Sequence, residues 1–378
     1  MVEDGETVTL VGQVSDAAGA APRYSWFQIA GPTVTLTNAD TQSATFVAPT
    51  VTATLEFMFS ASTATASQSD TVRIDVRPAP LLYVFNPAGA SLVSFRKPAA
   101  LSGDAAPRTQ LAGADARLAG VSDFVFDRRG SLLVANSDNN RLNGFFNGQN
   151  ATGNTPPDRF VGNPDARLEM PGALAYQAGP DLLFAANFDS FPGSVNVYAG
   201  ASSPDFSGRI PPTRRILSNA IQNARAMRMM PTGELYVGNG GNWTVAVFAN
   251  AAALDGTVTP ARSIFCQDLQ SLGDIAIDSA DRLYTLDVSA RRVFVFENAS
   301  TLNGEATPAR RIAVAGAVSP AGLAVDAAGV GYLSDSVNHA IYVIRDIGTR
   351  DGEVVPDAVI TGPNTGINGP ARLAIVQR

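Results

Sequence analysis

The stretch LYTLDVSARRVFVFENASTLNGEATPARRI, residues 283–312, is the key to the fold because the chain contains it twice in similar form. Its counterpart, LYVGNGGNWTVAVFANAAALDGTVTPARSI, spans residues 235–264 and begins 48 residues earlier. Both copies hold an apolar triplet, an apolar run that ends in Phe, and the phrase Pro-x-Arg-x-Ile. Self-similarity at a fixed period of this size is typical of proteins built from repeated supersecondary units.

The triplet occurs six times after residue 80, at intervals of 50, 50, 53, 48 and 48 residues. The six copies begin at Leu82, Leu132, Leu182, Leu235, Leu283 and Gly331. The proline of the connecting phrase recurs at Pro107, Pro157, Pro212, Pro260, Pro308 and Pro356. A second apolar run follows each triplet, and another precedes the next one. Four strands in each repeat, without helical periodicity, predict an all-β, six-bladed β-propeller over residues 81–378.

The end of the chain predicts how this propeller closes. Arg372–Val376 resembles the strand that begins each repeat, yet no triplet follows it. The partners that it lacks stand at the start of the array, in residues 82–95. We therefore expect the last strand to join residues 82–95 in one mixed blade, because an open array would leave two sheet edges unpaired.

Residues 1–78 have a different composition, rich in Thr, Ser, Ala and Val, and their apolar residues alternate with polar ones. Examples of this alternation are Leu55–Phe59 and Thr71–Val76. Period-two runs divided by Gly, Asp and Pro predict a small antiparallel β-sandwich. Trp26 occupies a strand position where such sandwiches bury an aromatic ring, so we expect core packing rather than ligand stacking.

Two sets of phrases resemble known families. YSWFQIAGPTVTL, ATFVAP and SDTVRIDV in residues 1–78 resemble the PKD-like, Ig-like domains that serve as spacers in bacterial surface and secreted proteins. ANSDNNR at 135–141 and DSVNH at 335–339 resemble the strand–turn phrase of NHL-repeat propellers, which typically reads Asp-x-x-Asn-Asn-Arg. The second resemblance implies a fold and no particular activity, since one propeller scaffold serves enzymes, adhesins and docking platforms.

Composition excludes several classes of function. The net charge is −7 and the pI about 4.8, which argues against a nucleic-acid-binding surface. The single Cys, Cys266, and the single His, His339, cannot form an intramolecular disulfide or a zinc site with several such ligands. No apolar run reaches the roughly 18 residues that a membrane helix needs. Acidic residues directly after Met1 speak against a signal peptide, so we expect any leader to have been removed.

A ring of polar residues ends the strands that the triplets begin. It consists of Asn86, Asn136, Asn187 (beside Ala186, which holds the equivalent position), Asn239, Asp287 and Asp335. Asn and Asp cap tight turns with their own side chains, and a residue present in every repeat usually serves construction, so capping is the favoured interpretation. Oxygen ligands also suit Ca²⁺, which lactonase-type propellers use, and Asp287 with Asp335 are the weak candidates for a metal. His339 is expected to be a turn residue rather than a catalytic base.

The arginines of the repeated phrase are predicted to be architectural. Arg159, Arg214, Arg262 and Arg310 stand two residues after their prolines. Proline is tolerated on an edge strand, so the phrase is expected to start the outermost strand, with Ile inward and Arg outward or towards a neighbouring blade.

Irregular features are better candidates for a ligand site than repeated ones. Trp243 follows a Gly-Asn turn, and residues 187–192 lengthen the corresponding loop of the preceding repeat. Loops that interrupt repeats often carry the binding face. The candidate ligand-binding residues are Trp243, Asn187, Phe188, Asp189, Asn239 and Asn242.

These patterns predict a non-catalytic, secreted or cell-surface bacterial protein that binds a protein or a glycan through the propeller. It would be located extracellularly, at the cell surface or in the periplasm, without a membrane span. One alternative is a structural subunit of an extracellular assembly, which would self-associate. The other is a calcium-supported hydrolase or lyase; apart from calcium in that case, we expect no cofactor.

Overall fold

The computed structural model describes residues 2–14, 21–49, 51–188 and 191–376. The chain divides into two compact units, residues 1–80 and Leu81–Val376. Regular structure in the described residues is β-strand and a few single 3-10 turns, at Pro98–Ala100, Ala114–Ala116, Gly148–Asn150, Pro164–Ala166, Ala251–Ala253 and Ile347–Thr349. None of the described helices is both long and apolar enough to cross a membrane.

The first unit consists of two sheets in its described residues. One sheet has four strands, in the order Val2–Glu3, Ser67–Arg77, Ala53–Ser62 and Arg23–Ala30. The other pairs Thr7–Val11 with Ser43–Val47 in antiparallel register. Alternation along Ala53–Ser62 buries Leu55, Phe57 and Phe59 on one face, as a period of two requires.

Trp26 lies in the core of this unit. Its side chain is 6% exposed, and its ring packs against Phe59 with 4.8 Å between ring centroids. Phe46 and Phe57 form a second aromatic pair at 4.7 Å. The indole of Trp26 is therefore a packing element, and its Nε1 finds no hydrogen-bond acceptor among the described residues.

In the described part of the second unit the strands form six sheets of four or five strands, which we number I to VI along the chain. Their strands, in sheet order, are: I, Arg372–Val376, Leu81–Asn86, Ser91–Arg96 and Thr109–Ala112; II, Val121–Phe126, Leu132–Asn136, Arg141–Phe145 and Arg159–Gly162; III, Pro171–Gln177, Leu182–Asn187, Gly193–Ala199, Arg214–Ser218 and Gly256–Thr257; IV, Ala224–Met229, Leu235–Asn239, Val245–Phe248, Arg262–Phe265 and Gly304–Glu305; V, Leu272–Ile277, Leu283–Asp287, Arg292–Phe296, Arg310–Val314 and Gly352–Val354; VI, Pro320–Val325, Gly331–Asp335, Ala340–Ile344 and Ala358–Ile360.

The triplets explain how the sheets pack. Successive side chains of a strand point to opposite faces, so each triplet serves two neighbours. Leu235 and Val237 of sheet IV join the apolar core shared with sheet III, whereas Tyr236 joins the core shared with sheet V. The described residues contain six such cores, and one of them lies between sheets VI and I.

Sheet I combines the two ends of the second unit. Arg372–Val376 pairs antiparallel with Leu81–Phe85, and Leu373 lies opposite Val84. The strand predicted to join residues 82–95 therefore does so. Its pairing satisfies an edge of Leu81–Asn86 that would otherwise be open.

A belt of parallel pairs links the fourth strand of each sheet to the connection of the next repeat. The residue pairs are Leu111 with Gly153, Val161 with Gly208, Ile216 with Gly256, Ile264 with Gly304, Ile312 with Gly352 and Ile360 with Gly103. The six glycines all have positive φ, between 62° and 82°, a conformation that glycine adopts without strain. The repeated Gly and Ile are thus two halves of one contact, which we call the outer belt.

Two of the repeated arginines, Arg262 and Arg159, reach into the next repeat. Arg262 donates to the carbonyl oxygens of Ala299 and Leu302 at 2.7 and 3.0 Å, and to Glu234 Oε1 at 2.7 Å. Burial acts to lower the pKa of Arg262, but the hydrogen bonds to Tyr236 and Glu234 outweigh it and raise that pKa. Arg159 donates to the carbonyl of Ser203 in the same manner. The contacts of these arginines are those of structural residues.

Candidate functional site

The first strands of the six sheets lie against one another. Each contacts the first strand of the next sheet from I to VI, and the first strand of sheet VI also contacts that of sheet I. Since strands alternate in direction within each sheet, all first strands begin on the side where all second strands end. We call this side the upper face and the opposite side the lower face.

A cavity of about 550 Å³ opens at the centre of the upper face. The starts of the first strands contribute Val121, Ser122, Gly172, Arg225, Leu272, Gly273, Pro320 and Arg372 to its lining. The turns between second and third strands contribute Pro87, Ser137, Phe188, Gly240 and Val288. Two arginines thus enter a lining that consists otherwise of apolar, glycine and serine residues among those described.

Arg372 reaches from sheet I to the first strands of three other sheets. Its guanidinium donates to three backbone carbonyls, those of Ser122 at 3.1 Å, Gly273 at 3.2 Å and Arg225 at 2.7 Å. These acceptors belong to the first strands of sheets II, V and IV. Arg372 therefore fastens three sheets together and has its donors directed at backbone oxygens.

Two aspartates stand at positions equivalent to Arg372. Each lies opposite the penultimate residue of its second strand, Asp123 opposite Ala135 and Asp274 opposite Leu286. Asp123 accepts from the backbone N–H of Leu174 at 2.8 Å, so it bonds to the next sheet. Asp274 bonds in the same manner to sheet VI and also accepts from Arg228 Nη2 at 3.0 Å. The equivalent residues of sheets III, IV and VI are Ala173, Ala226 and Gly322, which leave room at the centre.

The environment of Asp123 disfavours its charged form. Burial raises the pKa of the Asp123 carboxyl, and the positive charge of Arg372 and the hydrogen bond from Leu174 N–H offset this only in part. The centre of the ring is therefore a tight polar network whose groups are already engaged.

Arg225 differs from Arg372 in having its donors free. Its guanidinium carbon lies 5.0 Å from the centroid of the Phe188 ring, a cation–π contact. A Cβ on Gly240 would lie 2.7 Å from Arg225 Cγ, so this glycine lets the turn pack against the arginine. No described residue accepts a hydrogen bond from the Arg225 guanidinium or forms an ion pair with it. Burial, and then the like charge of Arg372, lower the pKa of Arg225, and a guanidinium with such a high ordinary pKa stays protonated.

Exposed apolar side chains stand on the turns of the upper face. Phe191 is 82% exposed on the turn of sheet III, and Trp243 is 45% exposed on the turn of sheet IV. Val337 of sheet VI and Met170, which precedes sheet III, are exposed as well. The two irregular features of the sequence thus lie on the same face as the cavity, with Phe188 in its wall.

The other predicted ligand-binding residues have structural contacts. Asn187 and Asn239 are buried; each accepts a backbone N–H of the loop before its first strand, from Glu169 and Gln222 respectively, at 2.9 Å. Asn242 is half-buried and accepts from the hydroxyl of Thr244 at 2.9 Å. Asp189 lies outside the described residues.

The metal candidates are buried in their own turns. Asp287 accepts N–H bonds from Gln270 at 2.6 Å, from Ser289 at 2.9 Å and from Ala290 at 2.8 Å. Asp335 makes the equivalent bonds, starting with Val318 N–H at 2.6 Å. Within the described ranges no group of three or more His, Cys, Asp or Glu could hold a metal ion. Both carboxylates cap their own turns. Among the described residues, neither of them belongs to a group of three or more such ligands that could hold calcium.

The remaining two singular residues take ordinary places. His339 is exposed on a turn with φ of 50°, and its Nδ1 accepts from the N–H of Gly369 at 2.7 Å. Cys266 is 8% exposed and packs in the core between sheets IV and V.

Sequence reasoning missed Arg225 and Arg372, the two cations of the cavity. Arg372 had a signal, since its equivalents in the other first strands are aspartate, alanine or glycine. Arg225 had a weaker one: it lies one residue before the alanine at that position. Neither residue belongs to a repeated phrase. The cavity itself could not be predicted, because its depth depends on how closely the first strands approach one another.

Comparisons with known proteins agree with this architecture. The profile of a PKD domain family matches residues 1–76, so the first unit is PKD-like. No curated protein sequence matches the chain significantly.

Among solved structures, a chain of the nidogen/laminin complex is similar with a TM-score of 0.53 and 12% identity, covering 78% of this chain and 98% of that one. A protein of unknown function from Bacteroides caccae is similar with a TM-score of 0.51 and 10% identity, covering 79% and 99%. A functionally unknown protein from Desulfotomaculum acetoxidans is similar with a TM-score of 0.50 and 12% identity, covering 78% and 98%. At such identities the likeness concerns the fold alone, which is all-β and propeller-like, preceded by a PKD-like domain.

Proposed function

We propose that this chain is a non-catalytic binding protein whose ligand surface is the upper face of a six-bladed, ring-closed propeller of the NHL type. The observation that carries the proposal is the cavity of about 550 Å³ at the centre of that face. Concave sites of this size, largely apolar with a few polar groups, are typical ligand pockets.

Six blades and ring closure are supported by three kinds of contact. The last and first strands share sheet I, and an apolar core lies between sheets VI and I. In the outer belt, Ile360 of sheet VI pairs with Gly103 as the other five outer strands pair with their glycines. The apolar core and the belt pair between sheets VI and I are the same contacts that successive sheets make in the described part of the chain.

A non-catalytic role is supported by the chemistry of the lining. Acid–base or nucleophilic catalysis needs a titratable pair within hydrogen-bond reach of a reacting atom. The described lining residues include serines and two arginines, without Asp, Glu, His or Cys among them. Asp123 and Asp274, just below, are already bonded to backbone N–H groups of the neighbouring sheets.

The partner we propose is a protein or a glycan outside the cell. PKD-like domains are typical of extracellular proteins, and the nidogen/laminin complex is an assembly of proteins that contains a chain of similar fold. Exposed aromatic residues around a concave centre, here Phe191 and Trp243, suit either partner, because aromatic side chains supply much of the energy at interfaces.

The test is to select binders and to map them. The full chain is probed with a phage-displayed library of random peptides and with a printed glycan array, and each binder is then titrated against variants. Phe191→Ser with Trp243→Ser is expected to weaken binding at least about tenfold. Val355→Ser, which changes a 76% exposed side chain near the start of the outer strand of sheet VI, is the matched control and should change affinity less than about twofold. The proposal would be contradicted if the binders kept their affinity for the double variant, or if no binder were found.

A further inference from the structure

Two arginines are among the described lining residues of the central cavity, and no described residue accepts a hydrogen bond from the guanidinium of one of them. Arg372 has its guanidinium directed at three carbonyls, and Arg228 is paired with Asp274 at 3.0 Å. Arg225 lines the same cavity, and no described residue accepts from its guanidinium. A guanidinium carries five N–H donors, so those of Arg225 that do not face Phe188 are available to a ligand.

Arg225 is held in place although it lacks an acceptor. The centroid of the Phe188 ring lies 5.0 Å from its guanidinium carbon, and the turn at Gly240 passes so close that a Cβ there would lie 2.7 Å from Arg225 Cγ. Phe188 is itself fixed by the hydrogen bond from its N–H to the carbonyl of Met170 at 3.0 Å. A cation fixed in this way loses less conformational entropy when it binds an anion.

The walls around Arg225 are largely apolar, with serines between the apolar residues. Phe85, Met170, Phe188, Leu272 and Val288 line the cavity, and no carboxylate stands among its described lining residues. An anion bound at Arg225 therefore meets no described like charge in the wall, and an apolar body attached to it would find apolar surface. Charge and shape together specify an amphiphilic ligand.

We propose that the central cavity binds an organic anion, with one carboxylate on the Arg225 guanidinium and an apolar body against Phe85, Phe188, Leu272 and Val288. The planar fork of a guanidinium matches the two oxygens of a carboxylate, and such charge-assisted pairs are the strong hydrogen bonds of proteins. One free arginine suits a single negative charge better than a phosphate dianion. This inference rests on the proposed binding function and names the ligand class of its site.

The experiment uses two fluorescent probes that share an apolar body. 8-Anilinonaphthalene-1-sulfonate carries one negative charge, and N-phenyl-1-naphthylamine is its neutral relative. Both are titrated into the full chain, into Arg225→Gln and into the control Arg209→Gln, which removes an arginine that is 79% exposed outside the cavity. Circular dichroism and the melting temperature establish that each variant is folded.

We expect Arg225→Gln to weaken the anionic probe about tenfold, and the neutral probe and the Arg209→Gln variant to change less than about twofold. The inference is overturned if Arg225→Gln lowers the affinity of the anionic probe less than fivefold, or if it lowers the affinity of both probes equally. Binding of the neutral probe shows in that case that the cavity is still present. If neither probe binds the unaltered chain, the inference fails, whereas the proposed function is decided by the separate peptide and glycan assay. Displacement of the anionic probe by octanoate is expected to be stronger than displacement by octyl phosphate, and the reverse order would overturn the assignment to a carboxylate.

Discussion

The outer belt and the centre of the ring follow opposite rules, although the same repeats build both. In the belt, six glycines with positive φ pair with six apolar residues, and the identity of the contact hardly changes around the ring. At the centre, the equivalent positions hold Arg372, Asp123, Ala173, Ala226, Asp274 and Gly322. Repetition marks the residues that hold sheets together, and divergence marks the place where a single ligand could be distinguished.

Two arginines, Arg262 and Arg225, differ in a similar way. Arg262, two residues before the outer-belt residue Ile264, has a carboxylate, a hydroxyl and two carbonyls as acceptors. Arg225 of the cavity has an aromatic ring beneath it and no acceptor among the described residues. Mutations can therefore separate stability from binding.

Ending the chain at Ala371 should have the largest effect, because both regions depend on sheet I. The truncation removes Arg372 from the centre and opens the edge of Leu81–Asn86. We expect the melting temperature to fall by about 10 °C or more, with aggregation of the exposed edge. Differential scanning calorimetry and light scattering measure this, and an unchanged transition would contradict ring closure.

Arg262→Gln should lower stability and spare the cavity. The substitution leaves Glu234 and the carbonyls of Ala299 and Leu302 without their donor, and Arg262 is 13% exposed. We expect a loss of about 3 kcal/mol in the free energy of unfolding, measured with urea. Arg209→Gln, at an exposed arginine, should cost less than about 0.5 kcal/mol. Equal costs for the two variants would remove the distinction between belt and surface.

Asp123→Asn tests the centre through pH. Because folding raises the pKa of Asp123 above 3.8, the native state binds this proton more tightly than the unfolded chain does. The stability of the unaltered chain relative to the variant should therefore be constant below pH 3.8 and fall as the pH rises through the raised pKa, by at most about 1.4 kcal/mol per pH unit.

The matched control for this titration is Asp181→Asn. Although burial acts to raise the pKa of Asp181, hydrogen bonds from Tyr176 and Ser202 lower it. Here the stabilising contribution is present above pH 3.8 and is lost as the pH falls through the lowered pKa, so the slope has the opposite sign. The free energy of unfolding of each variant and of the unaltered chain is measured with urea from pH 2 to 8. If the stability of the unaltered chain relative to Asp123→Asn rises with pH, the pKa of Asp123 is not raised.

Calcium should have the smallest effect. The carboxylates of Asp287 and Asp335 already accept backbone N–H bonds from their own turns and loops. We expect the melting temperature with excess Ca²⁺ and with EDTA to agree within about 1 °C, since only an occupied site stabilises by mass action. A shift of several degrees that Asp287→Asn abolishes would revive the hydrolase alternative.

Much of the fold could be predicted from the sequence because it depends on local periodicity. The triplets with their alternating faces, the repeated Gly and Ile, and the strand at 372–376 are all recognisable by their spacing. The sandwich was visible through the alternation of Ala53–Ser62, and Trp26 packs in the core as expected. These features are short-range patterns repeated many times.

The site was harder to predict because it depends on distances between sheets. Trp243 and residues 187–192 were recognisable as irregular, and Trp243, Phe188 and Phe191 do lie on the upper face. Asn187 and Asn239, chosen with them, are buried caps, since an Asn at the end of a second strand serves its own loop. Arg225 carries no such mark: only the approach of the first strands at the centre sets it beside Phe188 and Gly240.

The separation of belt from cavity is tested by comparing Arg262→Gln and Arg225→Gln in the same two assays, urea unfolding and titration with 8-anilinonaphthalene-1-sulfonate. We predict a crossed result, in which Arg262→Gln lowers the free energy of unfolding by about 3 kcal/mol and leaves the probe affinity within about twofold. Arg225→Gln should weaken the probe about tenfold and leave stability within about 0.5 kcal/mol. If both variants change the same property, the outer belt and the central cavity are not separate in function, and the proposed division between them is contradicted.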